Sequence, residues 1–218
     1  MMSESPRDHR HAATLDDTFE FLNTDELDGI GRPIERLPTL ADATRWLVEH
    51  GLLHAHEARR IETTAGDRPD SRVAHVRAAR AGMREIVEAL IAGRPADPAA
   101  LGAVNAVLRA RTVVELVPGK GSPAVGHRHI GDRLDNALAG VAEPLIALVA
   151  AGDAERLRIC ANDGCRWVFH DTSRTGRRRW CSMASCGNRA KAARHRARKR
   201  TPAPAGGAAD VAPSPAPG

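Results

Sequence analysis

The sequence predicts a mainly α-helical protein: a helical domain with one β-hairpin, followed by a small cysteine-stapled module that ends in a basic helix. Three observations predict this. Apolar residues recur at helical spacing, between capping signals, over most of residues 14–157. The four cysteines of the 218-residue chain fall in two equally spaced pairs between positions 160 and 186. The charge is divided as well: residues 1–157 hold 19 Lys/Arg against 24 Asp/Glu, whereas residues 158–200 hold 13 against 2. The net charge of +5 therefore describes neither part.

Along the chain, residues 1–13 are polar and read as a disordered start. Leu15, Phe19 and Leu22 share a helical face, with Asp16 and Asp17 at the end where the helix dipole favours negative charge. Residues 29–38 contain Gly29, Gly31, Pro33 and Pro38 and read as a loop. Thr39 caps a helix through Leu40, Ala43, Trp46 and Leu47, which Gly51 stops. Another helix is predicted over 54–65, then a turn at Gly66–Asp70. The longest helix starts near Ser71 and runs to Ala92 on a stripe that includes Val73, Val76, Met83, Val87 and Leu90. Asp97-Pro98 starts the next, a capping carboxylate before proline at the first helical position. Thr112–Val117 and Val125–Ile130 flank a Pro-Gly-Lys-Gly-Ser turn and predict the hairpin. Arg133–Ala151 is helical again, with Gly152 behind it. In residues 201–218, 14 of 18 are Ala, Pro or Gly, which reads as a disordered tail. The expected divisions are thus 1–13, 14–157, 158–200 and 201–218.

An apolar content of 42% excludes a wholly disordered chain. No window of about 18 uninterrupted apolar residues predicts a membrane span, and no basic–apolar–small pattern opens the chain. The expectation is a cytoplasmic protein with reduced thiols. No phosphate loop, serine elbow or zinc-protease motif occurs, so an enzyme is not expected.

The thiols are spaced Cys160-x4-Cys165-x15-Cys181-x4-Cys186. Each pair folds back around a metal, and the stretch between them closes a small loop. Four thiolates fill a tetrahedral Zn2+ site and leave no open position for a reacting water, so one structural zinc is expected rather than a catalytic one. Asn162, Asp163 and Gly164 suit a tight knuckle. Arg166–Asp171 alternates in part like a half-buried strand, Arg177–Trp180 reads as the strand returning beside it, and Trp167, Phe169 and Trp180 supply a mini-core. Asp171 and Ser173 are candidate braces. After Cys186 the sequence Gly187–Arg200 reads as a helix with Ala190, Ala193 and Ala197 on one stripe. Arg189, Lys191, Arg194, His195, Arg196 and Arg198 lie on its other faces. Such a helix reaches about 20 Å and fits a DNA major groove. The knuckle, hairpin and helix together look like a treble-clef finger.

The stretch Cys181-Ser182-Met183-Ala184-Ser185-Cys186-Gly187-Asn188-Arg189, with Asp171-Thr172-Ser173 and Arg178-Arg179-Trp180 upstream, resembles the CGNR zinc-finger family, whose tetrad stands at 186–189. In that family the finger follows a helical domain called ABATE, whose opening resembles Phe21-Leu22-Asn23-Thr24 here, with the Leu40–Leu53 stretch around Trp46-Leu47. The resemblance implies a stress-induced bacterial transcription regulator that binds DNA through the finger and is nucleoid-associated. It implies Cys160, Cys165, Cys181 and Cys186 as zinc ligands and Asn188 and Arg189 as the signature polar pair. Arginine forks onto guanine and asparagine onto adenine; capping by Asn188 and a phosphate contact by Arg189 stand as alternatives. Arg177, Arg178 and Arg179 join the expected DNA contacts. An acidic helical body attached to a DNA-binding end suggests a sensor or an oligomerisation unit, with a homodimer as an expected partner, and the resemblance implies a ligand-responsive domain with a small-molecule effector. Asn23 and Thr24 are candidate pocket residues or ordinary turn residues. His54-x-His56 and His127-x-His129 have metal-like spacing but lack supporting carboxylates. An RNA-binding finger and a small-molecule enzyme with an accessory finger are the alternative readings.

Overall fold

The computed structural model describes residues 13–28 and 30–200, so the expectations for residues 1–12 and 201–218 lie outside the described residues. The chain forms two compact units, one ending at Cys181 and one beginning at Ser182.

The first unit contains α1 (Leu15–Leu22), α2 (Leu40–Glu49), α3 (Ala55–Ala65), α4 (Pro69–Ala92), α5 (Pro98–Leu108) and α6 (Arg133–Ala151). Three antiparallel two-stranded sheets accompany them among the described residues. β1 (Asp25–Leu27) pairs with β2 (Pro33–Glu35), β3 (Arg111–Val117) with β4 (Ala124–Ile130), and β5 (Leu157–Ile159) with β6 (Val168–His170).

Local chemistry sets the helix ends. Thr14 with Asp17 and Thr39 with Asp42 form reciprocal capping boxes, each side chain accepting the other residue's backbone N–H. Asp97 accepts the N–H of Ala99 at 2.8 Å, and Asp132 accepts those of Leu134 and Asp135. Gly93 and Gly152, at φ of 62° and 70°, take the left-handed conformation that ends α4 and α6. The longest helix starts two residues before the predicted Ser71, because Pro69 occupies the first turn, where its missing N–H costs nothing.

α4 and α6 carry the centre of the core. Val76, Met83 and Val87 of α4 and Leu134, Leu138 and Val141 of α6 are fully buried, as are Phe21, Leu22 and Leu47 from α1 and α2. Each such side chain contributes about 1.5–3 kcal/mol by leaving water. Gly82 permits the close crossing of α4 and α5: a Cβ there would stand 2.9 Å from the carbonyl oxygen of Ala100. By length and composition α6 could cross a membrane, but half of that stretch is buried inside the protein.

At the turn between α4 and α5, Glu85 accepts hydrogen bonds from both terminal guanidinium nitrogens of Arg94, at 2.6 and 2.7 Å, and from the N–H of Asp97 at 3.2 Å. The Arg94 bonds hold its carboxyl down to about 2, from an ordinary value of 4.5. A depressed carboxylate stabilises the fold fully above its unfolded pKa, and that contribution fades as pH falls through the folded one. Glu85→Gln is therefore expected to lower the thermal midpoint slightly near neutrality. The gap to the parent should close between pH 4.5 and about 2, as followed by circular dichroism. A gap independent of pH would show that the charge does not act.

The predicted hairpin at 112–117 and 125–130 is present as β3–β4. Of the other two sheets, β6 falls within the strand expected at Arg166–Asp171, whereas its partner β5 and the β1–β2 pair went unforeseen. β2 lies in the stretch 29–38 predicted as loop. The predicted return strand at Arg177–Trp180 is corrected: β6 pairs instead with β5, upstream of the first cysteine. The polar groups of 177–180 are taken elsewhere. The N–H of Arg178 goes to Asp171 Oδ2 at 2.7 Å, its Nε to the carbonyl of Trp180 at 2.9 Å, and the carbonyl of Arg179 accepts a single bond from Ala161.

Candidate metal centre and its supports

The β5–β6 hairpin sets up the first thiol pair. Cys160 N–H donates to Trp167 O at 2.8 Å, which prolongs the ladder beyond β5, and Cys165 N–H donates to Asn162 O at 2.8 Å, which closes the knuckle. The chain reverses at Arg166, whose φ of 59° is left-handed, an uncommon state for a residue with a Cβ. Cys165 and Cys181 stand Sγ to Sγ at 3.7 Å. The sulfurs of Cys160, Cys165, Cys181 and Cys186 all lie within 4.8 Å of one another, three of them on buried residues and Cys181 half-buried.

These spacings fit zinc. Metal–sulfur bonds of about 2.3 Å in a tetrahedron set neighbouring sulfurs about 3.8 Å apart. The donor set fits too. Burial, and then the neighbouring Cys165 and Cys160 thiols, push the Cys181 thiol well above its ordinary range. Four clustered thiolates are untenable without a cation, and a dication removes that penalty. The four cysteines are able to hold one zinc ion, which would supply folding energy rather than a reactive water.

The ring around the thiols is built from side chains. Asp171 is fully buried, and its carboxylate accepts Ser173 N–H at 2.9 Å and Arg178 N–H at 2.7 Å. Hydrogen bonding from Ser173, its side chain first, and from the Arg178 N–H holds that carboxyl down to about 2. Arg178, expected among DNA contacts, is half-buried. It lies 4.7 Å over the Phe169 ring and donates to the carbonyls of Trp180 and Cys181. Arg177 and Arg179 are exposed, with Arg179 stacked 5.3 Å over Trp180.

In the second unit, Ser182 caps a π-helical turn, Met183–Gly187, that runs into α7 (Asn188–Arg200). Cys186 and Gly187 are its buried residues among those described. Asn188 donates its side-chain amide to Ala184 O at 3.1 Å, and Arg189 donates to Cys186 Sγ at 3.3 Å, where a cation favours the thiolate. Lys191, Arg194, His195, Arg196 and Arg198 are exposed.

Asn23 and Thr24 occupy a buried polar node of the first unit. The Asn23 amide spans the backbone of Val168 in β6: Oδ1 accepts its N–H and Nδ2 donates to its carbonyl, both at 2.9 Å. Thr24 donates to Phe21 O at 2.6 Å and accepts from Arg80 at 2.7 Å. Arg80, also ion-paired to Glu35 of β2, and Arg84 are buried on α4. Arg84 donates to Leu22 O at 2.9 Å and to Arg166 O at 3.2 Å, and Trp167 Nε1 donates to Glu26 at 2.9 Å. Leu157 and Val168 belong to the same core as the helices. These two arginines were missed in the sequence, although Arg80, four residues beyond Val76 and three before Met83, interrupts an otherwise apolar stripe.

Residues 18–152, more than half of the chain, match the ABATE family model, described as "Putative stress-induced transcription regulator". Residues 156–199 match the model of the CGNR zinc finger. No curated protein matches the chain.

Proposed function

Because the chain belongs to the ABATE family of transcription regulators and carries a CGNR zinc finger, we propose that it regulates transcription in the cytoplasm by binding duplex DNA through the finger. In this reading the body is the regulatory part. Both matched families are regulatory or zinc-finger families rather than enzymes.

One observation carries the reading. From residue 172 to residue 200 the chain has no Asp or Glu, and Lys191, Arg194, His195, Arg196, Arg198 and Lys199 are exposed along α7. Such an array repels itself unless a polyanion neutralises it. Lys191, Arg194, His195, Arg196 and Arg198 serve as the contacts, with Arg177 and Arg179 nearby in sequence. Arg178 braces the finger, and Arg189 serves Cys186, so neither is required to read a base. Because Asn23 and Thr24 spend their polar atoms internally, they do not define an effector pocket.

The test is binding of the zinc-loaded chain to labelled duplex DNA between 50 and 200 mM salt. Affinity should fall with a log–log slope of about −0.9 per neutralised phosphate. Arg194→Ala and Arg198→Ala should each weaken binding on every sequence and reduce that slope by about 1. Salt-independent binding, or full displacement by equimolar structured RNA, would overturn the assignment to DNA.

A further inference from the structure

The β3–β4 ribbon exposes apolar side chains that the rest of the first unit does not cover. Val114 is 68% exposed, Leu116 77% and Val125 65%. Leu116 lies directly opposite Val125 across the ribbon, and Val114 lies two residues along on the same face. The ribbon has two strands only, so each has an outer edge of backbone groups with no strand partner among the described residues. A lone two-stranded ribbon is at best marginally stable in water, and an open edge is a template for another strand.

The sequence of β3 indicates which strand fits. Antiparallel pairing of β3 with a second copy of itself, centred on Val113, places Arg111 opposite Glu115 of the mate, and by symmetry Glu115 opposite Arg111 of the mate. Val113 meets Val113, and the two Val114 side chains become diagonal neighbours on the exposed face. The outer edge of β4 has no such register. Its sequence Ala-Val-Gly-His-Arg-His-Ile contains no acid, and centring on Arg128 sets like charges together. Glu115 already accepts from Arg128 at 2.9 Å within the ribbon, but its side chain remains 39% exposed, and Arg111 is exposed. We propose that two copies of this chain dimerise by β3-to-β3 pairing into a four-stranded antiparallel sheet, with two Arg111–Glu115 pairs across the two-fold axis. This goes beyond the DNA-binding reading and does not depend on it.

The test uses the full zinc-loaded chain in sedimentation equilibrium over a range of concentrations. The parent should reach twice the monomer mass. Arg111→Glu sets two acids against each other across the axis, and Glu115→Arg sets two bases, so each variant alone should dimerise at least tenfold more weakly. An equimolar mixture of the two variants pairs Arg with Glu at both positions again and should recover dimer as a heterodimer, a rescue that damage to either monomer would not give. A parent that stays monomeric, or a dimer that survives both substitutions, overturns the proposal. So does a mixture that fails to recover. In those outcomes the ribbon is covered by another segment of this chain or by a different protein.

Discussion

A chain carrying Cys181→Ser is expected to lose its zinc and to unravel its last helix while the helical body stays folded. Structural four-cysteine sites contribute about 10–16 kcal/mol of apparent binding energy, which is folding energy for the segment they hold. Altering an outer-shell partner of a metal ligand costs about 10–100-fold in affinity, and losing a ligand costs more. The second unit has little else to order it: Cys186 and Gly187 are its buried residues among those described, and α7 presents repelling cations. Circular dichroism should show loss of about one 13-residue helix, and zinc per chain should fall from one toward none. Chelation of the parent should reproduce both changes, and zinc should reverse them. Retained stoichiometry in the variant, or an α7 signal indifferent to chelation, would refute the metal-dependent fold. The body survives because its core rests on α1, α2, α4 and α6, with Leu157 and Val168 packed into it.

The second large effect belongs to Asn23→Ala. The substitution leaves the N–H and carbonyl of Val168 without their partner in a buried setting. Each orphaned group costs about 1–3 kcal/mol, so a total loss of about 2–6 kcal/mol is expected. Urea unfolding of parent and variant measures it directly. Asn23→Asp should be damaging too, because it keeps an acceptor for the N–H but sets a charged oxygen against the carbonyl. A change below about 0.5 kcal/mol for Asn23→Ala would mean that water replaces the amide at no cost, and the clamp would then be incidental.

The division between what was legible in the sequence and what was not follows the reach of the interactions. Helix starts at Thr39, Asp97 and Asp132 depend on side chains within three residues of the N–H groups they satisfy. The zinc ligands were equally plain, because a metal imposes a spacing on its cysteines. The pairing of the short strands was not. β2 is anchored by Glu35 to Arg80, 45 residues away, and β6 by Asn23, 145 residues away. Three-residue strands carry too little periodicity to fix their pairing: the alternation over 166–171 marked β6 but did not name β5 as its partner. For the same reason Asn23 and Thr24 looked like turn or pocket residues, since a sequence displays an amide but not the backbone it spans. Arg178 looked like one more cation of a basic segment, although its guanidinium lies over Phe169 and bonds two carbonyls.

The Asn23 clamp also bears on how such proteins diversify. It grips the main chain of Val168, so this bond does not depend on the side chain there, whereas the packing of Val168 and the Trp167–Glu26 bond do depend on which residues follow Arg166. An incoming finger from another gene would need an apolar residue with a free N–H at that position, and proline alone would break the grip outright. The β6 strand behaves as a socket with a loose key. Fingers with different helices could be exchanged into it by recombination, whereas a crossover just after Leu157 that supplied no following strand would leave the host core open.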